Sequence, residues 1–165
     1  MRTLCSPPGG PVTAILNGME FNGTMLQALS RDECLHLVGQ VPVGRIVYTR
    51  QALPAVELVN FALDHGDIVI GTDSGGKLAA ATRGAVVAFE ADSLDMAAHA
   101  GWSVTIVGYS LAVVDDEEIR RLRRVGLHPW APGEHDHFIR IAPTIVDGRR
   151  LAAKQVTGDD HARHS

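Results

Sequence analysis

The sequence predicts a mainly β chain, an antiparallel β-barrel with short peripheral α-helices. Three observations carry that prediction. About six β-branched or continuously apolar segments follow one another from Val43 to Leu151, without the long helices that alternate with strands in a doubly wound sheet. The longest, Gly101 to Val114, carries Gly108 in its middle, where a curling sheet needs a bulge or bend. The helical signals are short, and clear caps bound two of them.

Composition sets the frame. The chain has 165 residues, 45% apolar and 21% charged, and its formal net charge is −4. That fits one globular domain. Aromatics make up 5%, so Val, Ile, Leu and Ala must fill the core. Basic residues cluster only from Arg120 to Arg124, so no nucleic-acid partner is expected. No apolar run reaches the roughly 18 residues of a membrane helix. The first residues lack the charged start and apolar run of a secretory leader, so a cytoplasmic protein with no membrane partner is expected. Cys5 and Cys34 are too few for a disulfide framework or a zinc site.

In chain order, residues 1–22 read as a flexible arm, marked by Pro7-Pro8-Gly9-Gly10-Pro11. Ser30-Arg31-Asp32-Glu33 is a capping box that opens a helix over about 31–39, and Gly39 ends it. Cys34 on that helix reads as a small buried hydrophobe. Gly44 to Thr49 is a strand and Arg50-Gln51-Ala52 a turn. Pro54 opens a second strand through about Leu63, since Pro is tolerated at a strand's first position. Asp64-His65-Gly66-Asp67 is a hairpin loop before Ile68-Val69-Ile70. A short helix over 77–82 precedes the continuous apolar strand Ala85 to Ala91. After the long strand, Asp115 to Glu118 followed by Arg120, Arg121, Arg123 and Arg124 signs a helix for its dipole, ended by Gly126. Its arginines read as a solvated face. Phe138 to Ile141 and then Ile145 to Leu151 complete the sheet. The barrel is thus expected over 23–152 and a disordered tail over 153–165.

One stretch carries ligand chemistry: Asp67 to Lys77, a strand that breaks into Thr72-Asp73-Ser74-Gly75-Gly76-Lys77. Adjacent glycines admit an anion close to main-chain N–H groups, hydroxyls add donors, and Lys77 adds a compact charge. A helix beginning there would aim its positive end at the same spot. These are the ingredients of a phosphate cradle. It is not the nucleotide P-loop, because Leu78 follows the lysine. The plain alternative is a strand, a turn and a surface lysine.

The order of segments resembles the pyridoxamine 5′-phosphate oxidase-like FMN-binding split barrels, and among them the actinobacterial and nitroimidazole-resistance-like members. The matching pieces are Val43 to Tyr48, Leu53 to Val56 with Val59-Asn60-Phe61, Ile70-Gly71-Thr72 through Gly76-Lys77-Leu78, Val87 to Asp92, Gly101 to Val104 with Val107-Gly108, and Asp147 to Arg150. They cover about residues 25–151. The resemblance implies a homodimer with FMN in two clefts between the subunits. It puts the flavin phosphate on Thr72, Ser74, Gly76 and Lys77 and the ring along Leu58, Val59 and Asn60. Trp102 and Ser103 would come from the other subunit. Family proline gives way here to Leu58, and a family arginine or aromatic to Gly71, so F420 or a cofactor-free barrel stands as the alternative to FMN.

The expected activity is that of a flavin-dependent oxidoreductase transferring hydride to or from a small organic substrate. No Ser-His-Asp, Cys-His or paired-carboxylate arrangement is legible, and no catalytic acid or base is assigned, which suits chemistry supplied by a cofactor. His135-Asp136-His137 lacks a third ligand at metal-binding spacing, so no metal site is expected. Trp102 has a second reading as a plug of the dimer core, and Ser103 as an ordinary polar strand residue.

Overall fold

The computed structural model of the protein describes residues 19–21, 24–72, 78, 82–124 and 137–153. Among them are eight strands: β1 (Met19–Phe21), β2 (Thr24–Ala28), β3 (Val43–Arg50), β4 (Leu53–Asp64), β5 (Asp67–Thr72), β6 (Val86–Asp95), β7 (Ala100–Ala112) and β8 (His137–Ala153). Two helices, α1 (Arg31–Val38) and α2 (Asp116–Leu122), flank them. The sheet order is β1-β2-β8-β5-β4-β3-β6-β7, and β7 also pairs with β8. Strands β3 to β8 therefore close into a barrel, with every neighbouring pair antiparallel. The expected barrel is present.

The barrel is split along one edge of β8. That edge pairs with β5 through residues 137–141 and with β2 only from Arg149 onward. Helix α1 sits at the opening, where Leu29 N donates to the Gly148 carbonyl at 2.9 Å. A Cβ on Gly148 would lie 2.4 Å from the Cys34 sulfur, so only glycine lets α1 come this close. The capping box forms as read, with Ser30 accepting from Glu33 N and the Glu33 carboxylate taking up Ser30 N. Cys34 is fully buried, and burial pushes its thiol pKa up.

Inward positions alternate along the strands, as period-2 patterning requires. Ile46, Ile68, Ile70, Phe89, Val104, Ile106, Ile139 and Ile141 fill the interior, and Phe61 meets Phe89 edge-on at 4.7 Å between ring centres. Strand β5 is apolar on both faces for a reason. Ile68 and Ile70 enter the barrel, while Val69 faces a second small core with Leu122 and Phe138 under α2. The register of β7 against β8 shifts between Val107 and Gly108, the bulge read from the glycine.

Differences from the sequence reading are local. Met19–Phe21 pairs with β2 inside the stretch read as an arm. The last two strand segments are one continuous β8. Leu78 and Thr82 are helical, while residues 73–77 and 79–81 of that segment lie outside the described residues, as do 1–18 and 154–165. The α2 arginines are not all a solvated face: Arg121 clamps Asp64 at 2.8 and 2.7 Å. No helix among the described residues is long and apolar enough to cross a membrane.

Candidate functional site

Strand pairing sorts the predicted site residues onto faces. On β3 and β4, Gly44, Ile46 and Tyr48 pair with Val59, Glu57 and Ala55 on the inner side. Arg45 and Val47 pair with Leu58 and Val56 on the outer side. Leu58 is therefore an outer-face residue, 64% exposed, whereas Val59 is buried in the core and can offer a ligand only main chain. Asn60 follows on the outer side, and its amide donates to the Pro42 carbonyl at 3.3 Å.

Glu57 turns away from this face. Its carboxylate accepts the Tyr48 hydroxyl, and burial, with that bond, raises the Tyr48 pKa. Its negative charge, one residue from Leu58 in the chain, thus lies on the opposite side of the sheet from Leu58.

Ser103 lies on the same outer face as Leu58, opposite Asp92 on one side and Arg149 on the other. Trp102, its neighbour, points the other way and packs half-buried against the core. Leu58 is in register with Arg45, Arg45 with Glu90, and Glu90 with Thr105. Three strand spacings of about 4.8 Å put Leu58 and β7 about 14 Å apart across the curved surface. One chain does not bring Leu58 and Ser103 together.

Thr72 ends β5 opposite His137, buried, with its hydroxyl donating to the His137 carbonyl over a long 3.4 Å. Ser74, Gly76 and Lys77 lie outside the described residues. The segment just after them is firmly held. Thr82 Oγ1 donates to the Leu78 carbonyl at 2.9 Å and accepts from Ser110 Oγ at 3.0 Å. Main-chain bonds from Gly84 to Ser110 and from Ser110 to Ala85 add to this. Buried hydroxyls need such partners, and here the pair ties Thr82 to β7.

Sequence reasoning missed an ion cluster on the outer face. Arg45 Nη1 lies 2.8 Å from Glu90 Oε2 and 2.9 Å from Asp92 Oδ2. Burial is the main force raising the Glu90 pKa, and the charge of Asp92 adds to it against the pull of Arg45. The Glu-x-Asp spacing on one strand was visible in the sequence, but nothing local shows that β3 lies beside β6. A separate cleft of about 390 Å³ opens between the end of α1 and the last residues of β4, lined by Gly39 to Pro42 and Phe61 to Leu63. Among the described residues no charged side chain lines it.

Comparison with known proteins agrees with the fold. A family model described as pyridoxamine 5′-phosphate oxidase matches residues 30–150. An uncharacterized protein of Mycobacterium tuberculosis is 40% identical over 134 residues, covering 78% of this chain and 88% of that protein. The solved structure of the FAD binding protein from Mycobacterium smegmatis is 31% identical, covers 76% of this chain and 97% of its own, and superposes with a TM-score of 0.59. A protein of unknown function from Corynebacterium diphtheriae is 30% identical, covers 75% and 96% of the two chains, and has a TM-score of 0.62.

Proposed function

Because the chain belongs to the pyridoxamine 5′-phosphate oxidase-like family, we propose that it binds a flavin nucleotide between two subunits and acts as an oxidoreductase on a small organic substrate. The observation that carries this reading is the outer face of β4. Leu58 is 64% exposed and Val56 61%, an apolar strand surface beside an anchored Asn60. A flavin ring is broad, flat and largely apolar, and such a strip fits one side of it. The bound flavin supplies the hydride chemistry at its N5.

The chain's own residues bind and orient. Leu58, Asn60 and the Val59 main chain lie along the ring. Thr72, Ser74, Gly76 and Lys77 hold the phosphate, with the buried Thr82–Ser110 pair fixing the end of that turn. The separation of about 14 Å between Leu58 and β7 in one chain supports a homodimer, in which Trp102 and Ser103 of the partner close the cleft. No side chain is assigned as acid or base.

The sequence resemblance points to FMN, and the FAD-binding relative from M. smegmatis brings FAD into the choice. The two flavins share the ring and its first phosphate, so the same residues serve either. The test is titration of the purified protein with FMN, FAD and F420, followed by flavin fluorescence or absorbance. Binding of a flavin, weakened at least about tenfold by Lys77→Ala as loss of a charged phosphate contact requires, is the expected result. Binding of F420 alone keeps the fold and changes the enzyme. If none of the three binds, the oxidoreductase reading fails and a cofactor-free split barrel acting through protein contacts replaces it. Flavin-loaded protein that transfers no electrons from NAD(P)H to a quinone or nitroaromatic acceptor is instead a carrier.

A further inference from the structure

We infer that the cleft between the end of α1 and β4 binds a small neutral molecule with a donor–acceptor–donor edge, such as an aminated nitrogen heterocycle. The main chain of Phe61 and Leu63 would hold it. The site uses the free edge of β4 and not its outer face, so it stands apart from the flavin reading.

Strand pairing dictates which main-chain groups face the cleft. Asp64 and Asp67 close a two-residue turn in which His65 and Gly66 have φ of 53° and 88°. Two positive angles mark a type I′ hairpin, whose closing residues exchange N–H···O bonds. Main-chain polar groups alternate sides along a strand. Asp64 and Ala62 therefore point to β5, and Leu63 and Phe61 to the opposite edge. The Phe61 N–H agrees, since it donates to the Pro42 carbonyl at 3.4 Å.

Pairing on that edge stops there. Proline has no N–H, so Pro42 returns nothing to the Phe61 carbonyl. The β3–β4 register ends with Val43 opposite Asn60, and continued it would set Gln40 opposite Leu63. The chain has turned away by then. Gln40 N–H donates to the Leu37 carbonyl at 3.0 Å and Val41 N–H to the Val38 carbonyl at 3.3 Å, both in the last turn of the helix. Among the described residues, the Phe61 carbonyl and both main-chain groups of Leu63 are thus left without a partner. They form a row of acceptor, donor and acceptor along the wall of the cleft.

The class of ligand follows from that row. Main-chain groups in a cleft require partners, and a donor–acceptor–donor edge supplies all three at once. A volume of about 390 Å³ is at the small end of ligand pockets. Val41, Pro42, Ala62 and Leu63 give it apolar walls, and with no charged side chain among its described lining a neutral molecule is favoured. An extended peptide fits less well, because Pro42 stops it at Phe61 and leaves it one residue pair, at Leu63. The pyrimidine edge of a flavin runs acceptor, donor, acceptor and does not complement the row.

The experiment titrates the isotope-labelled full chain, followed by amide NMR, with diaminopyridine carrying an amino group on each side of the ring nitrogen. The control is the dimethyl analogue, which has the same shape and no donors, at a pH where both are neutral. The Leu63 amide resonance should move downfield with diaminopyridine, while that of Ala62, turned toward β5, should move little. The dimethyl analogue should bind at least about tenfold more weakly, as the loss of two hydrogen bonds requires. Pro42→Ala restores an N–H opposite the Phe61 carbonyl, so the ligand loses one contact and should bind about fivefold more weakly. The thermal midpoint of that variant should stay near wild type. A Leu63 amide that does not move at any soluble concentration of diaminopyridine overturns the site. Equal binding of the two probes overturns the assigned edge, and so does wild-type affinity in Pro42→Ala.

Discussion

Two ion clusters on opposite flanks of this barrel use the same residue types and shift their acids in opposite directions. Under α2, the Asp64 carboxylate receives a two-pronged contact from Arg121 at 2.8 and 2.7 Å and a further one from Arg140 at 2.7 Å. Hydrogen bonding from Arg121 outweighs burial, Arg140 adds to it, and the Asp64 pKa is held well below the usual carboxylate range. On the outer face, Glu90 shares one guanidinium nitrogen with Asp92, burial works against it, and its pKa is raised. The lesson is about stoichiometry and geometry. Contacts from two guanidiniums favour the ionised acid, whereas an acid that shares one nitrogen with a second carboxylate has its ionised form disfavoured. The first cluster is finished within the chain, where it pins α2 and the β4–β5 hairpin to β8.

The largest test of that contrast is Arg140→Met. Arg140 joins Asp64, Asp67 and Glu118, and its removal leaves Asp64 and Glu118 to share Arg121 and takes the guanidinium away from Asp67. Breaking a partly buried cluster built on a buried acid in this way costs about 3 kcal/mol. For a chain of this size the thermal midpoint should drop by roughly 10 °C. A drop no larger than that of Arg45→Met would erase the difference between the flanks.

Asp64→Asn should cost somewhat less, about 2 to 3 kcal/mol near pH 7. Its pH dependence sharpens the point. The folded pKa of Asp64 lies below its unfolded value of about 3.9. The stability it contributes is therefore complete above roughly pH 5 and is lost as pH falls through 4 toward the folded pKa. Urea midpoints of wild type and variant should converge on acidification, and parallel curves would refute the assignment.

Glu90→Gln should have the smallest effect and the opposite sign. A raised folded pKa means that ionised Glu90 costs stability above its folded pKa, a cost absent below the unfolded value near 4.3. The variant should gain up to about 0.5 kcal/mol at pH 7 and nothing at pH 4, with both proteins compared at one concentration. A clear loss at pH 7 would show Glu90 to be a structural clamp like Asp64.

Local signals in the sequence were enough for much of the fold. Ser30 and Glu33 mark the start of α1 because a capping box is a contact between residues three apart. Asp115 caps α2 for the same reason. Gly108 marks the bulge, and Ile68-Val69-Ile70 announces a strand, though only the structure shows it covered on both faces. The candidate site was legible only in part. Alternation put Leu58 and Glu57 on opposite faces, but the sequence did not say which face was outward. Arg121 looked solvated because its partner Asp64 is 57 residues away in the chain.

The sequence by itself therefore determined most of the elements from α1 onward, their caps and the apolar alternation, since all of these depend on neighbours within a few residues. Only the tertiary structure decided that β8 closes against β7, that α1 fills the split beside Gly148, and that Arg45 meets Glu90 and Asp92. Those outcomes depend on which strands pair and in what register. That choice is settled by burying the whole set of inward side chains at once, because a slip of one residue would turn every one of them outward.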